Sequence, residues 1–176
     1  MHRKLIRLLA LIGIAQIVFI ASSQETVRLG TPISESQLEG FDLIVAADGS
    51  GLPAGSGTAL QGKAVFESRC QACHSANGEG TSGNTRLVGG DMHSAGNPIR
   101  TVGSYWPYAS TVFDYVRRAM PADAPKSLSD IEVYQVTAYV LYLNGIIDQY
   151  LILNSETLTQ VKMPNRDGFI DESQAQ

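Results

Sequence analysis

The sequence of 176 residues has few cysteines, few histidines and fewer basic than acidic side chains. Two cysteines leave no material for the network of disulfides that stabilises many small secreted domains. A zinc site built on this pair would need two further Cys or His ligands at similar spacing, and beyond the cysteine motif and the N-terminal segment only His93 remains. No internal repeat or low-complexity tract is present.

The N-terminal segment, residues 1–23, predicts an export signal. Residues 1–7 are basic, residues 8–20 are apolar, and residues 21–23 are small and suit cleavage. An uncleaved membrane anchor is the alternative, but this apolar run is shorter than the roughly 20 residues that span a bilayer. We therefore expect a periplasmic protein that has no membrane attachment once the signal is removed.

The remaining chain is acidic. Loss of residues 1–23 leaves 10 basic against 17 acidic side chains, a formal charge of −7. This balance disfavours nucleic acid and anionic lipid as partners, and a protein partner would be expected to present a basic face. Ordinary solubility is an equally good explanation of the charge.

Glycine and proline positions divide the chain into three parts after the signal. Residues 24–57 are rich in both and predict an extended N-terminal arm. Residues 58–146 contain the helical patterns and predict one all-α domain with long loops, especially over residues 75–109. Residues 147–176 predict a C-terminal extension with a short helical or extended segment and a polar, frayed end.

The first predicted helix begins at Thr58. Thr58 and Gln61 have the spacing of a capping box, and the helix is expected to run into the cysteine motif. The predicted apolar face of this helix consists of Leu60, Ala64, Val65 and Phe66.

Two further helices follow the long loop. Ser110 is the predicted N-cap of the first, and Pro121 should end it so that Met120 lies at its exit. Ser129 and Glu132 form the capping box of the second, and Gly145 should end it. Its predicted apolar face consists of Ile131, Tyr134, Ala138 and Leu141.

The chemistry of the chain is concentrated in Cys70-Gln71-Ala72-Cys73-His74. Two thiols at this spacing reach the two vinyl groups on one edge of a porphyrin, and the next residue, His74, then lies under the iron as the proximal ligand. The motif predicts one covalently attached haem c, with Cys70 and Cys73 as thioether donors and His74 as a metal ligand. A zinc or thioredoxin-like site is the weaker interpretation.

The sixth iron ligand has several candidates. Met92, Met120, Met163 and His93 each offer a thioether or an imidazole. Met120 is favoured, because the loops before it are long enough to cross the haem edge and Pro121 restricts the adjacent backbone. Met163-Pro164 repeats the dipeptide and is the second choice. Met120 could also be an ordinary core residue that fills a gap.

Tyr105 and Trp106 lie in the long loop and are predicted to contact the haem. Their polar tips could donate to the haem propionates while their rings cover the haem edge, although core packing alone explains them equally well. Arg100, Arg117 and Arg118 are further candidates for propionate contacts. For Arg117 and Arg118 we favour solvated ion pairs.

The order of these features resembles class I cytochrome c over about residues 55–146. A helix leads into CQACH, and a loop, a Met-Pro dipeptide and a terminal helix follow. The resemblance implies an all-α cytochrome c domain at residues 58–146, in which the first and last helices cross. It also implies that Gly62 and Phe66 meet Tyr139 or its neighbours.

Longer segments are similar to the cytochrome subunit SoxD of sulfane dehydrogenase. They are GLPAGSGTALQGKAVFESRCQACH, RLVGG, TVGSYWPYASTVFDYVRRAMP, VTAYVLYLNG and VKMPNRDGF. SoxD chains usually carry two haems, so a chain with one haem motif resembles their first haem half or a monohaem relative. The resemblance implies His74 and Met120 as axial ligands, a molybdenum dehydrogenase of the sulfite-oxidase type as electron donor, and a soluble cytochrome c as acceptor.

These expectations describe an electron-transfer subunit without catalysis of its own. A general periplasmic electron carrier for another dehydrogenase is the first alternative. A haem enzyme or gas sensor would need a displaceable sixth ligand, and a purely structural haem domain would exchange electrons slowly with every partner.

Overall fold

A computed structural model describes residues 30–38, 41–170 and 172–174. The predicted signal, residues 1–23, lies outside this part of the chain. The chain divides after Leu38 into two compact units. The described part of the first unit contains helix α1 (Glu35–Leu38), which follows a hydrogen bond from the Ser34 N–H to Gln37 Oε1 of 2.9 Å.

The second unit is mostly helical, which confirms the predicted all-α fold apart from one small sheet. Its elements are strand β1 (Ser56–Gly57), helices α2 (Ala59–Arg69), α3 (Gln71–His74), α4 (Ala109–Ala119) and α5 (Asp130–Leu143), strand β2 (Leu153–Asn154), and the 3₁₀ helices Leu158–Gln160 and Glu172–Gln174. The long stretch between α3 and α4, residues 75–108, contains no regular element, as predicted.

Helix α2 begins as the sequence predicts, but a different face of it is buried. The capping box of Thr58 and Gln61 is formed, whereas Leu60 is 53% exposed and Ala64 is also exposed. The buried positions are Ala59, Gly62 and Phe66. Their helical spacing forms the stripe that faces α5. The prediction is therefore confirmed for Phe66, while Val65 is half-buried against the core, and it was wrong for Leu60 and Ala64, which lie outside that stripe.

Helices α2 and α5 cross in close contact. A side chain at Gly62 would overlap the backbone carbonyl of Gln135, so only glycine permits this approach. Phe66 then packs on Tyr139, with ring centroids 5.3 Å apart. Both contacts confirm the crossing that the resemblance to cytochrome c implies.

Helix α4 starts two residues earlier than predicted. It begins at Ala109, and Ser110 is not its cap because the Ser110 hydroxyl donates to the Ala47 carbonyl at 2.7 Å. The helix ends at Ala119, and Met120 is its C-terminal cap, as the position of Pro121 predicts.

Helix α5 has the predicted start and stop. The capping box of Ser129 and Glu132 is formed, and Gly145 has a φ of 67°, which glycine adopts without strain. Ile131 is 52% exposed, so its predicted place on the buried face was wrong. It lies in the first turn of the helix, outside the buried stripe that contains Tyr134, Ala138 and Leu141.

The last part of the arm, residues 41–57, and the extension both pack on the helical domain. Strand β1 pairs antiparallel with β2, with Gly57 opposite Leu153. Leu153, Leu158 and Met163 are nearly inaccessible to solvent and belong to the core. The boundaries at residues 57 and 146 remain predictions, although residues on both sides of each share one core. Among the described helices, none is both long and apolar enough to cross a membrane.

Candidate functional site

The cysteine motif begins at the junction of α2 and α3 and continues through α3, which is a single helical turn. The Cys70 N–H donates to the Phe66 carbonyl and the His74 N–H donates to the Cys70 carbonyl, both at 2.9 Å. Cys70 is the C-terminal cap of α2 and the N-terminal cap of α3, while Cys73 is exposed and His74 is half-buried. The turn therefore holds two free thiols and one imidazole on a short, rigid stretch of backbone.

Cys70 does not have the character of a thiolate ligand. Burial raises the pKa of the Cys70 thiol to about 11. A zinc ligand or a redox-active cysteine works as a thiolate and needs a lowered pKa. Within the described chain, no group of three or more His, Cys, Asp or Glu side chains could hold a metal ion, so the zinc interpretation also lacks its remaining ligands.

The His74 ring is oriented by the loop that follows it. Its Nδ1 lies 2.9 Å from the carbonyl oxygen of Thr85. A carbonyl oxygen can only accept, so Nδ1 carries the proton and Nε2 keeps a free lone pair. A metal-ligating histidine has this arrangement, and the donor set of two thiols and one oriented imidazole fits a haem c.

Helix α5 fixes that loop from the other side. The Asn144 side chain donates to the Leu87 carbonyl at 3.2 Å and accepts from the Gly89 N–H at 3.1 Å. The Thr101 hydroxyl in turn donates to the Gly89 carbonyl. The C-terminal end of α5 thus anchors the loop whose Thr85 carbonyl orients His74.

Met120, the predicted sixth ligand, lies far from the cysteine motif in the sequence and has its own backbone contact. Met120 is half-buried, and its N–H donates to the Val116 carbonyl at 3.1 Å, which attaches this extended residue to the last turn of α4. Met163 is only 3% exposed and belongs to the core cluster. Met92 is half-buried and His93 is exposed in the long loop.

Tyr105 and Trp106 are half-buried and contact different parts of the chain. The Trp106 ring meets Tyr115 of α4 edge to face, with centroids 5.6 Å apart. Tyr105 packs on Phe169 of the C-terminal extension at 5.3 Å, and Arg100 lies over the Tyr105 ring at 5.1 Å. Trp106 is therefore joined to the helix that ends at Met120, whereas Tyr105 is joined to the extension.

One arginine differs from its prediction. Arg117 was expected in a solvated ion pair, but its side chain is only 13% exposed, with Nε 2.8 Å from Asp130 Oδ1. Arg118 pairs with Asp114 and is 42% exposed, closer to the expectation. The burial of Arg117 follows from its second contact, in which Nη1 donates to the Leu43 carbonyl at 3.2 Å.

Sequence patterns do not indicate the roles of the Thr85 carbonyl and Asn144 or the contacts of Arg117. A backbone acceptor has no side-chain signature, so no pattern could identify Thr85. Asn144 stands directly before the helix-ending Gly145, and a polar residue at that position was the one available signal.

The comparisons with known proteins agree with this site. Residues 57–140 match the family described as cytochrome c oxidase, cbb3-type, subunit III. No curated protein matches the sequence. Among solved structures, the chain is similar to the crystal structure of the sulfane dehydrogenase SoxCD from Paracoccus pantotrophus, with 39% identity, a TM-score of 0.77, and coverage of 85% of this chain and 75% of that chain. SoxD is the cytochrome subunit of that enzyme. The chain therefore belongs to the class I c-type cytochromes, in the family of the sulfane dehydrogenase cytochrome subunit, and has the electron-carrier role of that family.

Proposed function

We propose that this chain is a periplasmic monohaem cytochrome that accepts single electrons from a molybdenum-dependent sulfane or sulfite dehydrogenase subunit and passes them to another cytochrome c. The observation that carries the proposal is the similarity to the SoxCD structure at 39% identity over 85% of the chain. Export follows from the N-terminal pattern of residues 1–23.

Each residue of the motif has a defined role in this proposal. Cys70 and Cys73 form thioethers with one haem c, and His74 binds the iron through Nε2 while the Thr85 carbonyl keeps the ring in one tautomer. Met120 is the sixth ligand. The haem supplies one-electron chemistry between Fe(II) and Fe(III), and a pair of protein ligands excludes substrates from the iron.

Trp106 is proposed to cover the haem edge from the loop side. Its contact with Tyr115 ties the loop to α4, so the cover and the Met120 ligand belong to one packed element. Tyr105 is proposed to have the same role. The C-terminal extension would hold it in place, because the Asn165 side chain donates to the Tyr105 carbonyl at 2.7 Å.

Rapid mixing tests the proposed electron transfer. The oxidised holoprotein is mixed with a molybdenum sulfite-oxidase-type dehydrogenase and a sulfane substrate, with sulfite in a second series. The expected result is haem reduction that requires both enzyme and substrate and slows as ionic strength rises, because an acidic cytochrome would meet a basic face. The matched control is the same dehydrogenase without molybdenum.

A second mixing step tests the downstream half. The reduced holoprotein should be reoxidised by an oxidised soluble cytochrome c. Failure of the dehydrogenase to reduce a haem that a small mediator reduces readily would overturn the sulfur-oxidation assignment and leave the general electron carrier as the function.

A further inference from the structure

A segment of the N-terminal arm lies along helix α4 and is bound to it by three side chains of that helix. We call this segment, residues 43–47 with its three contacts, the brace. Arg117 Nη1 donates to the Leu43 carbonyl at 3.2 Å. The Val45 N–H donates to Asp114 Oδ1 at 2.8 Å. The third contact is the Ser110 hydroxyl donating to the Ala47 carbonyl at 2.7 Å.

The spacing of these contacts makes the brace a continuous interaction. Residues 43, 45 and 47 alternate as on an extended chain, and residues 110, 114 and 117 form one stripe of a helix. The segment and the helix run in opposite directions, because Leu43 contacts Arg117 near the end of α4 and Ala47 contacts Ser110 near its start. Val45 is also only 3% exposed, so an apolar anchor lies at the middle of the polar contacts.

Arg117 joins the brace to a second helix. Its Nε and Nη2 donate to Asp130 Oδ1 and Oδ2 at 2.8 and 3.3 Å, where α5 begins. A guanidinium with two contacts to a carboxylate and one to a carbonyl has a defined orientation. The last turn of α4, which leads to Met120, is thereby connected to both the arm and α5.

We propose that the brace is a positioning device that keeps Met120 at the iron, an inference that rests on the proposed role of Met120 as the sixth ligand. Met120 is the C-terminal cap of α4 and its N–H is bound to the Val116 carbonyl, so movement of the end of the helix would carry the Met120 sulfur with it. The brace makes that movement unfavourable and keeps the population of the Met-dissociated state low. Arg117 is a positioning residue, because it acts through Met120.

Binding of imidazole to the oxidised holoprotein measures the Met-dissociated state. Imidazole can bind the iron only where Met120 is displaced, so its apparent affinity reports that population. For Arg117→Gln we expect an affinity about tenfold higher than for the natural chain, because charged hydrogen bonds are lost. Ser110→Ala removes one neutral contact with little change of volume and should raise the affinity severalfold.

Three further variants separate the possible outcomes. Lys63→Gln removes an exposed ion pair of α2 and should leave the imidazole affinity unchanged. Leu153→Ala destabilises the core away from the brace, so an equal rise of affinity in that variant would mean general loosening and would overturn the inference. Arg117→Lys keeps the charge but not the fork of donors, and should give an intermediate affinity.

The Met–Fe(III) charge-transfer band tells the two hypotheses apart. A band that persists in Met120→Ala would refute Met120 as the ligand and the inference with it. A band that depends on Met120, combined with natural imidazole affinity in both Arg117→Gln and Ser110→Ala, would refute the brace alone.

Discussion

The Phe66 ring packs on the Tyr139 ring with centroids 5.3 Å apart, one turn beyond the point where Gly62 lies against the Gln135 carbonyl. Gly62→Ala should therefore lower the free energy of unfolding by about 2–3 kcal/mol, since the added methyl group must separate α2 from α5. Denaturation of the holoprotein in guanidinium measures the change. Gly83→Ala is the matched control, because a side chain there meets nothing within 4 Å. Equal stability of the two variants would contradict the close crossing.

Replacement of both motif cysteines should abolish covalent haem attachment. The chain has two cysteines, so Cys70→Ala combined with Cys73→Ala leaves no thiol for a thioether. Extraction with acidified acetone followed by haem staining of the denatured chain is the measurement. Haem that stays with the double variant after extraction would refute the attachment site.

Met120→Ala and Met163→Ala should have opposite effects. The first is expected to remove the Met–Fe(III) charge-transfer band of the oxidised protein. The second should keep the band and lower the free energy of unfolding by about 2–4 kcal/mol, because Met163 is 3% exposed and its truncation leaves a cavity. Loss of the band in Met163→Ala alone would assign the ligand to the extension.

The stability that Asp114 contributes to the brace should depend on pH. Burial raises the pKa of this carboxyl, but the hydrogen bonds from Arg118 and from the Val45 N–H outweigh it and hold the pKa below the ordinary value of 3.8. A lowered pKa stabilises the fold above the ordinary value, and this stability is lost as the pH falls through the folded-state pKa.

Asp114→Asn should accordingly cost about 1–3 kcal/mol of unfolding free energy at neutral pH, and the difference from the natural chain should shrink below about pH 4. Denaturant titrations followed by circular dichroism at several pH values measure it. Glu67→Gln removes a carboxylate that is 52% exposed and should change the stability by less than about 0.5 kcal/mol. A difference that stays constant down to the lowest pH would contradict the assignment.

The C-terminal extension should restrict the motion of the loop segment that contains Tyr105 and Trp106. Asn165→Ala removes the hydrogen bond to the Tyr105 carbonyl and should cost about 1 kcal/mol. Trp106 is the single tryptophan, so its fluorescence reports the loop directly, and quenching by acrylamide should increase. Asn84→Ala, which breaks a local contact with Thr81, should leave the quenching unchanged.

Local sequence patterns identify the helices, but they do not predict contacts between residues that are distant in the sequence. The capping boxes at Thr58 and Ser129 involve residues three apart, so spacing alone identifies them. The exposed Leu60 was misplaced because hydrophobicity does not say which stripe of a helix a partner will cover. Met163 lies in the core and not in a polar, frayed end, because the chain returns to the core after β2.

The same distinction holds for the site. The motif from Cys70 to His74 is local and could be read directly. The brace joins positions 43–47 to positions 110–117 through backbone groups, and the Thr85 carbonyl is also a backbone group. No residue type marks such acceptors, so the sequence could not predict what orients His74 or secures α4.

The pairing of Gly57 with Leu153 places the end of the arm beside the extension. The segments outside this pair are needed for the fold, because they contribute Val45, Leu158 and Met163 to the core. A circular permutant would therefore have to keep them, and its new termini would open in an exposed loop such as the one around Gly83.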